Sequence, residues 1–218
     1  MTSVNVNNLE IQVNESGHVT FTRDGVTWKF REGFQPRLEC EEGILNFEDA
    51  LSISRDVITS GVGEGIRSHY EGFKVGNQTV PYSFDTIVWV EAASSDVFFE
   101  WVPLFEEGLT VRKIYWPGEM EFDEKNEKWY TLLNHQQGLL IPNTWETEMA
   151  PIPFDGFFGT AGGYMPWYGQ VKDRAGYIAI CVTPWNAGYY AEHPTGGPYT
   201  HVGTWHEPSL GKWSIAES

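Results

Sequence analysis

The sequence predicts an all-β protein, built as a two-sheet antiparallel β-sandwich. Apolar and polar residues alternate with a period of two, and turn residues bound the short apolar runs. The 23 Gly and 12 Pro are spread along all 218 residues, which is typical of many short strands joined by turns. Only residues 46–53 could form a helical turn or two. We therefore expect a single domain over residues 1–218, with residues 1–33 as a peripheral N-terminal edge.

The clearest local prediction is a hairpin near the N-terminus. Val19–Arg23 and Val26–Phe30 both alternate, and Asp24-Gly25 between them is typical of a type I′ turn. β-Branched and aromatic residues predict further strands at 84–91, 97–104 and 109–115. The apolar runs 139–142 and 177–182 have the length expected of strands buried on both faces.

Charge excludes several classes of protein. The chain has 14 Lys+Arg against 30 Asp+Glu, a net charge of −16. Nucleic-acid binding and adhesion to an anionic membrane both depend on basic residues, so neither partner is expected. The longest apolar runs are far shorter than the ~20 residues of a membrane span. The first ten residues have no signal-peptide pattern, which leaves open a bacterial cytoplasmic protein or the mature form of a secreted one.

No pattern predicts a cofactor or a metal. Cys40 and Cys181 are far apart and lie outside any Cys/His cluster, so we expect two buried thiols, with one long-range disulfide as the alternative. The acidic clusters at 39–42 and 119–127 are interpreted as solvated surface. Calcium binding is the alternative there, but neither cluster has the alternating Asp/Asn loop of a known calcium site. GxSxG, HExxH and P-loop motifs are also absent from the sequence.

The stretch 155–212 holds the candidate binding residues. Its Gly- and Pro-rich loops carry Trp, Tyr, His and Asn side chains. Sugar rings stack on flat aromatic rings, and their hydroxyls need polar side chains at the rim. The candidate residues are Trp167, Tyr168, Gln170, Trp185, Asn186, His193 and Tyr199. We expect them to converge on one concave site with Trp167 and Trp185 as stacking platforms; the alternative is that these aromatics fill the core.

Seven motifs between residues 61 and 212 also resemble one family. They are GEGIRSHYEGF at 63–73, VWVE at 88–91, FEWVPL at 99–104, YWPG at 115–118, QGLLIP at 137–142, YMPWYGQ at 164–170 and EHPTGGPYT at 192–200. The chain resembles the N-terminal β-sandwich of bacterial glycoside-hydrolase-like proteins related to the endo-α-N-acetylgalactosaminidase group. That sandwich is similar to galactose mutarotase. The resemblance implies a carbohydrate partner.

In such proteins a (β/α)8 barrel follows the sandwich and carries the catalytic carboxylates. The present sequence stops at Ser218 without one, so we expect this chain to lack them. Three interpretations stay open. The chain is a non-catalytic domain of a glycoside hydrolase that supports the barrel or binds glycan, or a stand-alone carbohydrate-binding module, or an aldose epimerase or polysaccharide lyase in its own right.

Two of these interpretations make specific demands on the residues. An epimerase needs a His and a Glu, for which His69, His193, His201 or His206 could act with Glu71 or Glu192. A domain that supports a barrel should expose an apolar patch, through which the isolated chain would self-associate.

Overall fold

The computed structural model describes residues 1–105, 109–122, 128–145, 155–159, 163–193, 200–208 and 215–217. The predicted all-β class is confirmed, with 62% of the described residues in strands. The first ten strands are β1 (Thr2–Val6), β2 (Leu9–Val13), β3 (Val19–Arg23), β4 (Val26–Phe30), β5 (Arg37–Cys40), β6 (Ile44–Asn46), β7 (Ser52–Thr59), β8 (Gly63–Val75), β9 (Gln78–Glu91) and β10 (Val97–Pro103). The other ten are β11 (Val111–Tyr115), β12 (Met120–Phe122), β13 (Tyr130–Leu133), β14 (Leu139–Pro142), β15 (Asp155–Phe157), β16 (Trp167–Lys172), β17 (Ala175–Ile180), β18 (Ala187–Glu192), β19 (His201–His206) and β20 (Ile215–Glu217). A short 3-10 turn covers Phe47–Asp49.

These strands form four small sheets in a β-propeller-like ring. Sheet A has the order β1-β2-β3-β4-β12, sheet B β15-β18-β19-β11-β5-β6, sheet C β20-β10-β9-β8-β7 and sheet D β14-β13-β16-β17. The predicted two-sheet sandwich, galactose-mutarotase-like or otherwise, is therefore wrong. Alternation identifies which segments are strands, but the number of sheets depends on pairings between distant strands, such as β4 with β12.

The pairing of strands that are neighbours in sequence agrees better with the predictions than the number of sheets does. β3 and β4 form the predicted hairpin, and Asp24 and Gly25 have φ values of 50° and 80°, as a type I′ turn requires. β9 pairs with β10 across the predicted turn at 92–96. The N-terminal hairpins are tied to a later strand, since β12 pairs with β4. The expected single domain stays a prediction.

β17 differs from its prediction as a strand buried on both faces. Its residues alternate in burial, and Ile178 and Ile180 are 57% and 45% exposed. Leu140 in β14 is likewise 57% exposed. An apolar run predicts burial on both faces, but within the described residues only one face of this sheet is covered.

Two apolar clusters stabilise the ring. The larger one joins sheets A, B and C around fully buried aromatic residues such as Trp101, Trp116 and Trp129. The smaller one lies between sheets D and B and consists of Leu133, Ile141, Tyr168, Tyr189 and Val202. Trp101, Trp116 and Trp129 lie outside the stretch 155–212, and the two predicted stacking platforms, Trp167 and Trp185, are not buried.

Both cysteines are buried free thiols, as predicted, and the alternative of a disulfide is excluded. Burial raises the pKa of the Cys40 thiol to about 12, so it stays protonated at neutral pH. Among the described residues, no helix has the length and hydropathy needed to cross a membrane. Nor does this part of the chain bring three or more His, Cys, Asp or Glu side chains together as a metal site.

Candidate functional site

A buried polar cluster is centred on Glu119. Tyr190 donates a hydrogen bond from Oη to Glu119 Oε1 at 2.6 Å, and Arg31 Nε donates to Glu119 Oε2. His201 Nδ1 lies 3.9 Å from Oε2. The Glu119 side chain is only 5% exposed. The prediction that Glu119 belongs to a solvated acidic surface is therefore wrong.

Three parts of the chain build this cluster. Arg31 follows β4, and its backbone N–H donates to the Glu119 carbonyl oxygen at 2.7 Å. Tyr190 and His201 come from neighbouring strands of sheet B, β18 and β19. Gly203 lies directly opposite Tyr190, and a Cβ at this position would collide with the Tyr190 hydroxyl. The absence of a side chain at Gly203 thus leaves space for the phenol that reaches Glu119.

Burial sets the protonation of the cluster. It lowers the pKa of His201 to about 4, and the positive charge of Arg31 adds to this effect. Burial and the Glu119 carboxylate raise the pKa of Tyr190. At neutral pH, His201 is therefore a neutral imidazole and Tyr190 a phenol that donates. The Glu119 carboxylate is already paired with Arg31, which makes it poorly suited to proton transfer. The cluster is better suited to stabilising the contact between sheets A and B, or to binding a neutral polar ligand.

The lowered pKa of His201 predicts a pH dependence of stability. Between about pH 6.5 and 4 the unfolded chain takes up a proton that folded His201 does not bind. The free energy of unfolding should therefore fall as the pH drops through this window, by about 2 kcal/mol after allowance for partial exposure. Urea unfolding of wild type and His201→Gln across the window measures this difference. If both lose the same stability, His201 does not carry the effect.

Aromatic side chains continue from this cluster along the same face of sheet B. Tyr115 lies 6.4 Å from Tyr190 between ring centroids, in an edge-to-face arrangement, and the Arg37 guanidinium lies 3.8 Å above the Tyr115 ring. Further along, Lys113 Nζ lies 4.0 Å above the Trp205 ring and 3.7 Å from a Glu207 carboxylate oxygen. We call this side of the sheet the aromatic face of sheet B; it carries Tyr115, Tyr190 and the buried Trp205.

Sequence reasoning did not find this face. Its residues come from three distant segments, and among the described residues the ladder between β11 and β19 consists of one pair, Ile114 with His206. The one local signal was the YWPG motif, which ends β11 immediately before Glu119.

The structure separates several of the seven sequence-predicted residues. Trp167 and Tyr168 are neighbours on β16 and so point to opposite faces of sheet D. Tyr168 and Gln170 face inward and are 2% and 1% exposed. Neither polar atom of the Gln170 amide has a hydrogen-bond partner among the residues that the structure describes. Trp167 is half-buried on the outer face.

Three of the remaining predicted residues, Trp185, Asn186 and His193, lie on either side of β18. Trp185 is 82% exposed, and the adjacent Asn186 has a left-handed φ of 59° in the turn that leads into β18. His193 is buried, and both of its ring nitrogens are occupied: Nδ1 lies 2.9 Å from Thr200 Oγ1 and Nε2 lies 2.7 Å from the Trp145 carbonyl oxygen. Tyr199 is outside the described residues. Their binding of a sugar stays a prediction.

Two of the four histidines of the epimerase alternative, His69 and His206, lie apart from the others. His69 lies in sheet C, with Nδ1 2.7 Å from Asp85 Oδ1. His201 and His206 are five positions apart on β19 and therefore face opposite sides of sheet B. His201 does have a candidate acid on its own face of sheet B, since Glu192 lies directly opposite it on β18. His193 follows Glu192, and its charge contributes to the lowered pKa of His201.

The comparisons with known proteins connect this fold to carbohydrate-active enzymes. No protein-family model matches the chain, and neither does any curated protein. Among solved structures it is similar to part of a glycoside hydrolase. The alpha-N-acetylgalactosaminidase NagBb from Bifidobacterium bifidum, in complex with GalNAc, has 40% sequence identity and a TM-score of 0.88 over 100% of this chain. The ligand-free form of the same enzyme gives 40% identity, a TM-score of 0.85 and the same full coverage.

The chain spans only 35% of the length of these NagBb chains. The likeness therefore supports a carbohydrate-active domain of a glycoside hydrolase and agrees with the predicted glycosidase class.

Proposed function

We propose that this chain is a non-catalytic β-domain of a glycoside hydrolase that acts on α-linked N-acetylgalactosamine, and that it supports the catalytic part of such an enzyme. The observation that carries the proposal is the full-length likeness to about a third of NagBb, at 40% identity and a TM-score of 0.88. At this identity the likeness extends beyond fold alone.

The geometry of the candidate site supports a non-catalytic role. Glycosidic hydrolysis uses two carboxyl groups on either side of the scissile bond, roughly 5–10 Å apart. On the aromatic face of sheet B, Glu119 is paired with Arg31 and buried, and Glu207 is paired with Lys113. Both carboxylates are thus held by cations. A barrel that supplies the catalytic pair is the partner expected from the family resemblance.

A chimera tests this function. The third of NagBb that matches this chain would be replaced by the present 218 residues, and hydrolysis of p-nitrophenyl α-N-acetylgalactosaminide would be measured. We expect the chimera to hydrolyse this substrate and the 218-residue chain alone to leave it intact. Hydrolysis by the chain alone would contradict the proposal and favour an enzyme in its own right. A folded but inactive chimera would contradict the supporting role.

A second candidate function, glycan binding, is favoured by one observation. Trp185 is 82% exposed, and a freely exposed indole is the ring type on which a sugar stacks. Under this proposal Trp185 and Trp167 are the platforms, with Tyr168, Gln170, Asn186, His193 and Tyr199 as the other candidates. The outward position of Trp185 supports its role more directly than the buried positions of Tyr168 and Gln170 support theirs.

Trp185→Ala is expected to weaken binding of an N-acetylgalactosaminide by roughly 1–3 kcal/mol, by analogy with stacking of bases on aromatic rings. Calorimetric titration of wild type and variant measures this change. Because Trp185 is exposed, the thermal unfolding midpoint should stay unchanged and serves as the control. Equal affinity of both proteins would remove Trp185 from the site.

A further inference from the structure

The outer face of sheet D is an apolar surface that the described residues leave uncovered. Leu140, Leu132, Gly169 and Ile178 are direct partners across the four strands and therefore share one face. Ile180, two positions after Ile178, lies on the same face. Leu140 and Ile178 are each 57% exposed and Ile180 is 45% exposed.

The opposite face of the same sheet is part of the core. There Leu133, Ile141 and Tyr168 pack against Tyr189 and Val202 of sheet B. β17 has the sequence AGYIAI, so both of its faces are apolar. Strands with two apolar faces are normally covered on both sides. The pattern therefore indicates that a second apolar surface covers the outer face of sheet D.

We propose that this outer face is the docking surface for the rest of a glycoside hydrolase chain; the inference rests on the proposed function. The NagBb chains contain the same fold within a chain of which it is 35%, so about two thirds of such an enzyme is protein outside this fold. The exposed side chains of Leu140, Ile178 and Ile180 carry no charge, so an apolar protein surface is a suitable partner for them.

Charge argues against a second copy as the occupant. Each chain carries a net charge of −16, so a homodimer would bring two strongly acidic molecules together. The apolar side chains at Leu140, Ile178 and Ile180 supply no cation to offset that repulsion. A catalytic segment of the same chain is not a second copy of this acidic domain, so this repulsion between two identical domains does not arise.

The test uses Ile178→Glu with Val57→Glu as its matched control. Val57 lies on β7 of sheet C and is 52% exposed, close to the 57% of Ile178. Both variants would be made in the 218-residue chain and in the NagBb chimera. In the chain alone, neither is expected to shift the thermal unfolding midpoint, because both positions are exposed there.

In the chimera, we expect Ile178→Glu to raise the rate of limited proteolysis roughly tenfold or more, because the new carboxylate would have to be buried against an apolar surface. Val57→Glu should leave that rate unchanged. Equal rates for the two variants would overturn the docking proposal, whether or not the chimera hydrolyses substrate. Loss of hydrolysis in the unsubstituted chimera would instead contradict the proposed function.

Sedimentation of the chain alone identifies a rival occupant. A dimer that Ile178→Glu converts to monomer, with no effect of that variant on proteolysis of the chimera, would assign the face to a second copy and overturn the proposal. A monomer in solution, together with the tenfold effect in the chimera, supports it.

Discussion

Glu119→Ala is expected to lower the free energy of unfolding by about 3 kcal/mol. Glu119 accepts hydrogen bonds from Arg31 and Tyr190, and its side chain is 5% exposed. Removing one partner of a buried ion pair leaves the other charge uncompensated, which costs about 3–5 kcal/mol when both are fully buried. The Arg31 side chain is 30% exposed, so water recovers part of this cost. Denaturant unfolding at pH 7 measures the loss.

Two further variants separate charge from packing. Glu119→Gln keeps an acceptor for Tyr190 but removes the negative charge, so its loss should be smaller than that of Glu119→Ala. Asp56→Ala breaks the exposed pair that Arg67 forms with Asp56 at 3.2 Å and should cost at most about 1 kcal/mol. If Glu119→Ala costs no more than Asp56→Ala, the buried cluster does not stabilise the fold.

The strands could be predicted from sequence because their signals are local. Asp24 and Gly25 set the first hairpin by their tolerance of positive φ, and β9 and β10 are apolar and β-branched on either side of a short turn. The arrangement into four sheets could not be predicted in this way. It depends on partners such as β4 and β12, which lie about ninety residues apart in sequence, so no turn type or short spacing encodes their meeting.

The candidate site shows the same division. Sequence reasoning weighed each aromatic residue by its neighbours, so the exposed Trp185 and the buried Tyr168 were assigned to the same site. Glu119 was grouped with the acidic residues after it, although its burial depends on Arg31, which lies 88 positions earlier. The Glu119 carboxylate is buried because residues distant in sequence pack around it. Composition shows which kinds of side chain could form a site. The pairing of distant strands determines which of them are exposed and close together.

The largest effect on stability is expected at Trp101. This residue in β10 is fully buried and packs within 5.8 Å of Phe84 and 6.3 Å of Phe105 between ring centroids. Replacing a buried Trp by Ala removes the transfer free energy of the ring and leaves a cavity, at a cost of about 3–5 kcal/mol. For a chain of this length, Trp101→Ala should lower the thermal unfolding midpoint by roughly 10 °C, measured by calorimetry.

Trp101→Phe and Trp185→Ala serve as controls for this prediction. In the described part of the chain, the indole Nε1 of Trp101 has no hydrogen-bond partner. Trp101→Phe therefore loses packing area but also removes a buried donor that is not satisfied. Its cost should therefore be well below that of Trp101→Ala. Trp185→Ala removes the same indole from an 82% exposed position and should leave the midpoint unchanged. A similar shift for Trp101→Ala and Trp185→Ala would contradict the placement of Trp101 at the centre of the ring's core.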